Sequence, residues 1–548
     1  MSSPGRPVAP SVLFVMLAGL CLGLSLSSQN LSAQTYTDLH EFDCSVEGCA
    51  PLYPAVMAQG RDGNLYGTAR NGGLFGLGTV FNYVPGGALT TLYNFSGPDG
   101  SYPDGGLTLG TDGNFYGTTS AGGSNDDGTV FKITTGGVLT TLHSFAASEG
   151  TSPIGAPVLG RNGSFYGTTC GFNPPWTAYS ITSAGKFSVI NSAVPPCSFA
   201  PLTLGSDGNF YGTSQAGGTT YQGTVFRLTP AGGVTVLYSF DYTTGAYLYS
   251  PVMQGNDGFL YGTTSGGGSG GGGVIFKLST AGKITLLRQF DAGSATDGST
   301  PFAGLVQGSD GKLYGATSGG ENFGSVPNGN LFSITTNGTY NLLYAFDGTH
   351  GALAQATPMQ HSNGKIYGLT QRGNENGLDQ GVLYSLDNTV PASVLLTTLS
   401  GTAGQTVQIL GSGLTGASKV KFGSAAASFH VVSDTYLTAT VPNNGTTGLV
   451  SVTTPSRTLA SNRKFFVLPV ISSFTPTSGP VGTQVVIVGT GLLGATQVKF
   501  GTVKATGFTV NSATSITASV PAGSVTGKIS VTTPGGTAAS QAVFTVTP

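Results

Sequence analysis

The stretch DGNFYGT at residues 112–118 is followed fifty residues on by NGSFYGT at 162–168. Five more copies align on the same tyrosine. The set is Tyr66, Tyr116, Tyr166, Tyr211, Tyr261, Tyr314 and Tyr367, at steps of 50, 50, 45, 50, 53 and 53 residues. A fixed period of this size marks a repeat architecture. Each period holds four extended pieces, which in the second copy read GGLTLG, NFYGTTS, GTVFKIT and VLTTLHSF. The first two are joined by Asp112-Gly113, with Asp-Gly or Asn-Gly at the same place in every other copy. Such pairs supply the positive φ of a two-residue type I′ hairpin. Four antiparallel strands per period predict an all-β fold, a seven-bladed β-propeller over 34–388.

The ends of this region support the same reading. The last period reaches its third strand at GVLYSL (381–386) and then passes into different sequence. TYTDLHEF (35–42) matches the fourth-strand pieces LTTLYNF (89–95) and VTVLYSF (234–240), so the N-terminal strand is expected to close the ring. Beyond it a second unit repeats. GSGLTGASKVKFG (411–423) is matched by GTGLLGATQVKFG (489–501), LTATVP by ITASVP and VSVTTP by ISVTTP. The offset suits two small β-sandwiches, at 389–467 and 468–548.

The G-x-DG-x-[LF]YGTT…GTVF…LTTLYSF unit resembles the GloVer tandem repeat of bacterial surface proteins. It is more distantly similar to the DG-x-L-W-x-GT propeller repeats of bacterial sensor ectodomains. Residues 389–548 resemble two IPT/TIG domains, which implies immunoglobulin-like modules of cell-surface and extracellular proteins.

Composition narrows the function. Charged residues are 8% of the chain and the formal net charge is −2. Nucleic-acid binding would need a basic footprint that is missing here, and there is no polybasic stretch for an anionic membrane. At the N-terminus, Arg6, the apolar run VLFVMLAGLCLGL and small residues up to Ala33 describe a secretory signal peptide at 1–33. An exported chain with no membrane span after cleavage follows, located outside the cell, on its surface or in the periplasm. Four cysteines then remain, Cys44, Cys49, Cys170 and Cys197, and an even number in an exported protein favours disulfides.

No motif for chemistry stands out. His40, His143, His350, His361 and His430 are scattered without zinc spacing, and no metal or other cofactor is expected. The aspartates of the hairpins sit one per blade, whereas calcium needs six to eight convergent oxygens. The repeated tyrosine reads as a core layer between blades.

Function is therefore sought in departures from the repeat. The hairpins lie on one face and barely vary. The links between blades and the loops after each second strand share the other face and vary strongly, which is where binding usually resides on a rigid scaffold. The third blade departs most, with the only tryptophan in CGFNPPWTAYSI (170–181). Trp176, Tyr221, Tyr247, Phe323, Asp126, Asp127 and Glu375 are the candidate binding residues. Trp176 reads equally as a plug over the blade edge or as a stacking platform. The expected function is a monomeric binding or adhesion protein for an extracellular glycan or surface protein, with the IPT/TIG modules as spacers or interaction domains. The alternative is a polysaccharide lyase or glycosidase at the propeller mouth, with acidic groups drawn from Asp126, Asp127, Glu321, Glu375 and Asp379.

Overall fold

The repeated tyrosine lies on the second of four strands in every period. In the computed structural model, which describes residues 34–49, 56–171, 174–197, 199–292, 298–319, 328–373 and 380–548, the first set is Ala58–Gln59, Leu65–Ala69, Thr79–Tyr83 and Leu89–Asn94. They pair antiparallel in that order. Five further sheets repeat the order, ending with the outer strand Tyr340–Ala345. The expected signal peptide lies outside the described residues.

A seventh sheet combines the two ends of the region. Met359–Gln360, Ile366–Leu369 and Val382–Asp387 take their outer strand from Thr35–Glu41, which pairs antiparallel with Val382–Asp387. Its register matches that of the other outer strands. Val80 faces Tyr93 and Phe81 faces Thr91, which leaves Leu92 as an extra residue, a β-bulge. Leu142, Ile190, Leu237, Leu287 and Leu343 are extra at the same place in the next five sheets. In the N-terminal strand the extra residue is Leu39.

The hairpin differs from the two-residue turn expected. Gly60 N–H donates to Asn64 O at 2.8 Å and Gly63 N–H to Gly60 O at 3.1 Å, so three residues turn the chain. Only Gly63 is left-handed, at φ +84°. This is a type I turn closed by a glycine bulge. The physical reason lies in the aspartate. Held at an ordinary φ, Asp62 accepts the backbone N–H of Asn64 at 3.1 Å and the Tyr66 hydroxyl at 2.7 Å.

That hydroxyl contact recurs. Tyr116, Tyr211, Tyr261 and Tyr314 donate to Asp112, Asp207, Asp257 and Asp310 at 2.6–2.9 Å. In the two asparagine copies the polarity reverses. Asn162 and Asn363 donate their amides to the oxygens of Tyr166 and Tyr367, both at 3.0 Å. All seven rings are buried, at most 3% exposed, and each packs on the next sheet. Tyr66, Tyr116 and Tyr166 lie 3.9–4.3 Å from the rings of Phe115, Phe165 and Phe210. Tyr367 shares a core cluster with Leu65, so the last sheet packs against the first.

Two β-sandwiches follow, each with a four-stranded and a five-stranded sheet of matching order. Thr406–Leu410 and Gln484–Thr490 hold equivalent places, as do Thr458–Val467 and Gly536–Val546. Each sandwich closes on its own core. Phe422 meets Phe465 in the first, and Phe500 meets Phe544 in the second.

The asparagine copies set an expectation for substitution. Asp112→Asn retains the Tyr116 contact with reversed polarity, so its unfolding midpoint should stay within a degree or two of the parent. Asp112→Ala removes the contact and is expected to cost about 1 kcal/mol. Thermal melts of the two variants check this. The hairpin carboxylates also give a pH dependence. Burial pushes Asp112 up, but hydrogen bonds from Asn114 and Tyr116 outweigh it, and its pKa falls below the usual range. For Asp257 the hydrogen bonds from Tyr261 and Lys277 likewise outweigh burial. A depressed folded pKa contributes stability above the unfolded value of about 3.9, lost as pH falls through the lower folded value. Urea midpoints should be unaffected by these groups from pH 7 to 5 and decline below about pH 4. Asp112→Asn is expected to soften that decline.

Candidate functional site

The links between sheets share one backbone device. Tyr102, Ser152, Cys197, Tyr247, Thr300 and Leu353 all have left-handed φ, between 49° and 61°. Five of them donate their N–H to the loop after a second strand. Tyr102 bonds Leu77 O, Ser152 Asp127 O, Tyr247 Gln222 O, Thr300 Gly272 O and Leu353 Asn328 O. Link and loop are thereby tied into one rim.

Two residues further on, each link reaches the axis. The residues there are Asp104, Ile154, Phe199, Tyr249, Phe302 and Gln355. Neighbouring links touch through their backbones, Gly105 against Ala156, Gly155 against Ala200 and Val56 in bridges with Gly106 and Thr357. Three consecutive positions are aromatic. Phe199 and Tyr249 have ring centroids 5.4 Å apart, and Tyr249 and Phe302 4.9 Å. All three are half-buried, and Gln215 donates to the Tyr249 hydroxyl at 2.5 Å. Three sheets round the ring, the buried Asp104 faces Arg70 at 2.7 Å, and the guanidinium lies 4.9 Å over the Tyr102 ring. Burial pushes the Asp104 carboxyl above its usual range, against the opposing pull of Arg70. The mouth thus joins an apolar aromatic arc to a fixed ion pair.

Of the residues expected from sequence, five are described, and they lie in the links and second-strand loops of this face. Tyr221 is 76% exposed and Tyr247 40% exposed, and the Tyr247–Gln222 backbone bond brings them to the same part of the rim. Trp176 is half-buried beside the core of the third and fourth sheets, and its indole N–H donates to Gly171 O at 2.9 Å. Asp126 accepts the N–H of Gly122 at 2.8 Å and so caps its own loop, with Asp127 next to it on the link contact. Phe323 and Glu375 lie outside the described residues, as do Glu321 and Asp379. The aromatic arc was not anticipated. The signal for it is register, since the three residues occupy one position counted from the left-handed residue of each link.

Other polar residues on this face hold loops. Disulfides join Cys44 to Cys49 and Cys170 to Cys197. Outer-strand residues hook the link that follows them, His40 to Glu47 at 2.5 Å, His143 to Glu149 at 3.0 Å and Tyr93 to Asp99. Among the described residues no group of three or more His, Cys, Asp or Glu is placed to hold a metal ion.

The hairpin face, which barely varies in sequence, meets the first sandwich. Arg61 donates to Gln408 at 3.0 Å and lies 4.9 Å over the Tyr436 ring, while Thr435 donates to Arg61 O at 2.7 Å. Gln408 donates to Thr111 O at 2.5 Å, and Asn256 bonds both Asn462 O and Lys464 N. Ser362 meets Ser412 at 2.9 Å. Between the sandwich and the inner strands a cavity of about 660 Å3 remains at the foot of the central channel.

The family model described as the Gloeobacter/Verrucomicrobia repeat matches residues 26–174 and 171–384, and the IPT/TIG domain model matches 392–466 and 469–546. No curated protein matches the chain at a significant level. Among solved structures the chain is similar to a streptogramin B lyase, at 16% identity, covering 66% of this chain and 99% of that one with a TM-score of 0.46. It is also similar to virginiamycin B lyase from Staphylococcus aureus, at 17% identity, 64% and 98% coverage and a TM-score of 0.45. A surface glycan-binding protein from Prevotella bryantii matches at 19% identity over 27% of this chain and 38% of that one, with a TM-score of 0.21.

Arg61→Ala is expected to loosen the sandwich from the hairpin face while the propeller stays folded. Hydrogen exchange should rise at residues 433–436 and 408–411 and remain unchanged in the outer strands. Uniform protection across both regions would count against a seam held by Arg61.

Proposed function

From a chain that belongs to the Gloeobacter/Verrucomicrobia repeat family and carries two IPT/TIG domains behind its propeller, we propose an exported, non-enzymatic binding protein that recognises a glycan at the loop-face mouth. The observation that carries this reading is the arc of Phe199, Tyr249 and Phe302. A pyranose ring presents a C–H face that stacks on aromatic surfaces and a rim of hydroxyls that needs fixed polar partners. The arc offers the first, and the Arg70–Asp104 pair with the rim carbonyls offers the second. Rigidity supports the reading further, because the two disulfides and the link-to-loop bonds hold the rim in one shape and lower the cost of ordering it on binding. Tyr221 and Tyr247 extend the surface outward for a longer chain.

Two disulfides fit an oxidising compartment outside the cytoplasm. No helix among the described residues is long and apolar enough to cross a membrane. In this arrangement the first IPT/TIG domain serves as a base under the propeller and leaves the loop face outward.

The test is a glycan array with the purified chain, followed by titration of the best ligand. Tyr249→Ala and Phe302→Ala are each expected to weaken binding about tenfold or more, and Tyr221→Ala less. Wild-type affinity in both arc variants would sink the mouth as the site. Shortened or unsaturated products in the bound glycan, seen by mass spectrometry, would make the protein an enzyme.

A further inference from the structure

The cavity at the foot of the channel has a composition of its own. Its wall is formed by inner strands of several sheets, with Thr108, Val158, Thr203, Val306 and Met359, and by the first sandwich from Leu395 to Ser400. Among the described residues two arginines line it, Arg161 from the third hairpin and Arg463 from the sandwich, and no aspartate or glutamate does. Arg161 spends one nitrogen on Ser206 O, while its Nε is buried without a partner. Arg463 has no ion-pair partner among the described residues, and desolvation alone pulls its pKa down to about 10. Burial likewise lowers Arg161, with only Asp207 opposing. A guanidinium stays charged in a protein, so two desolvated ones around a cavity create a positive field there that the wall itself does not neutralise.

The apolar part is equally localised. On the inner strands of four sheets, Gln59, Gln254, Gln307 and Gln360 bond the hairpin of the preceding sheet, through Ser362 N, Ser206 N, Asn256 N and Ser309 N. In the second, third and fourth sheets the same position is Leu109, Leu159 and Leu204. Leu159 and Leu204 face the cavity together with Leu396 and Leu399 of the sandwich. The repeat has exchanged its polar ties for an apolar wall on the side where Arg161 stands.

We propose that this cavity is a second binding site, for an organic anion with an apolar body and a single carboxylate or sulfonate head held between Arg161 and Arg463. Its volume lies within the range of about 300–1,000 Å3 typical of small-molecule sites. The site is independent of glycan recognition at the mouth, being built by the opposite face and by the sandwich.

The test uses the full chain and the fluorescent anion 8-anilinonaphthalene-1-sulfonate, with the uncharged N-phenyl-1-naphthylamine as its control. The sulfonate is expected to bind saturably at one site per chain and to be displaced by an aryl carboxylate. Arg463→Met and Arg161→Met should each weaken it at least tenfold with little effect on the neutral probe. Arg463→Lys should restore part of the loss, which a merely misfolded variant would not do. Leu204→Trp, which fills the apolar side, should weaken both probes. Equal binding of the two probes to the parent chain, or an unchanged sulfonate affinity in Arg463→Met, would overturn the proposal.

Discussion

Each sheet depends on an aromatic ring occupying the place where a side chain is missing. The glycine after every repeated tyrosine pairs across the sheet with Phe81, Phe131, Tyr179, Phe226, Phe276, Phe332 or Tyr384. A Cβ at Gly67 or Gly117 would collide with the ring opposite. The slot lets a large side chain of the third strand lean over the second toward the axis, filling the core at little width. With the ring seated there, the tyrosine one residue earlier points to the other side and meets the next sheet, where its hydroxyl reaches the hairpin. Sheet interior, sheet interface and turn are thus coupled through three adjacent positions.

Such coupling leaves few places free to vary without breaking the scaffold. The links and the loops after second strands are free because the left-handed residue ties them by backbone bonds alone, whatever the side chain. Tyrosine, serine, threonine and leucine make that tie, while Cys197 at the same position is held by its disulfide as well. The hairpin face has a narrower freedom. There the residue before each Asp or Asn is Arg61, Thr111, Arg161, Ser206, Asn256, Ser309 or Ser362; the side chains of Arg61, Arg161, Asn256, Ser309 and Ser362 bond a neighbouring hairpin or the first sandwich, and the carbonyls of Thr111 and Ser206 accept such bonds. One face therefore presents its variation to solvent and the other to a partner domain.

These two kinds of freedom explain what was legible from residues alone. Periodic features were: the seven tyrosines, the turns, the outer strand at 35–41 and the two sandwiches each appear more than once, and repetition exposes register. The even number of cysteines left after Ala33 was legible as disulfides too. The turn type was not, because Asp-Gly suits both a two-residue and a three-residue hairpin, and the choice rests on where the carboxylate finds its partners. The aromatic arc was hidden by length. Phe199, Tyr249 and Phe302 lie in links of differing sequence and only the left-handed residue aligns them. The basal cavity was out of reach, since Arg161 and Arg463 come from different domains 302 residues apart and nothing periodic connects them.

The outer strand at Thr35–Glu41 finds its partner at Val382–Asp387, roughly 350 residues later. Within the ring this strand comes first in sequence and its partner comes last. Until the two pair, the strand and the two faces it will join stay unsatisfied, and an unpaired edge of this length is a template for wrong pairing. Closure of the ring thus requires a long loop to close, while the other six sheets are each built from consecutive strands. The same closure gives the finished domain its resistance. A pull on either end of the propeller bears on both at once, because the two ends are paired in the same sheet.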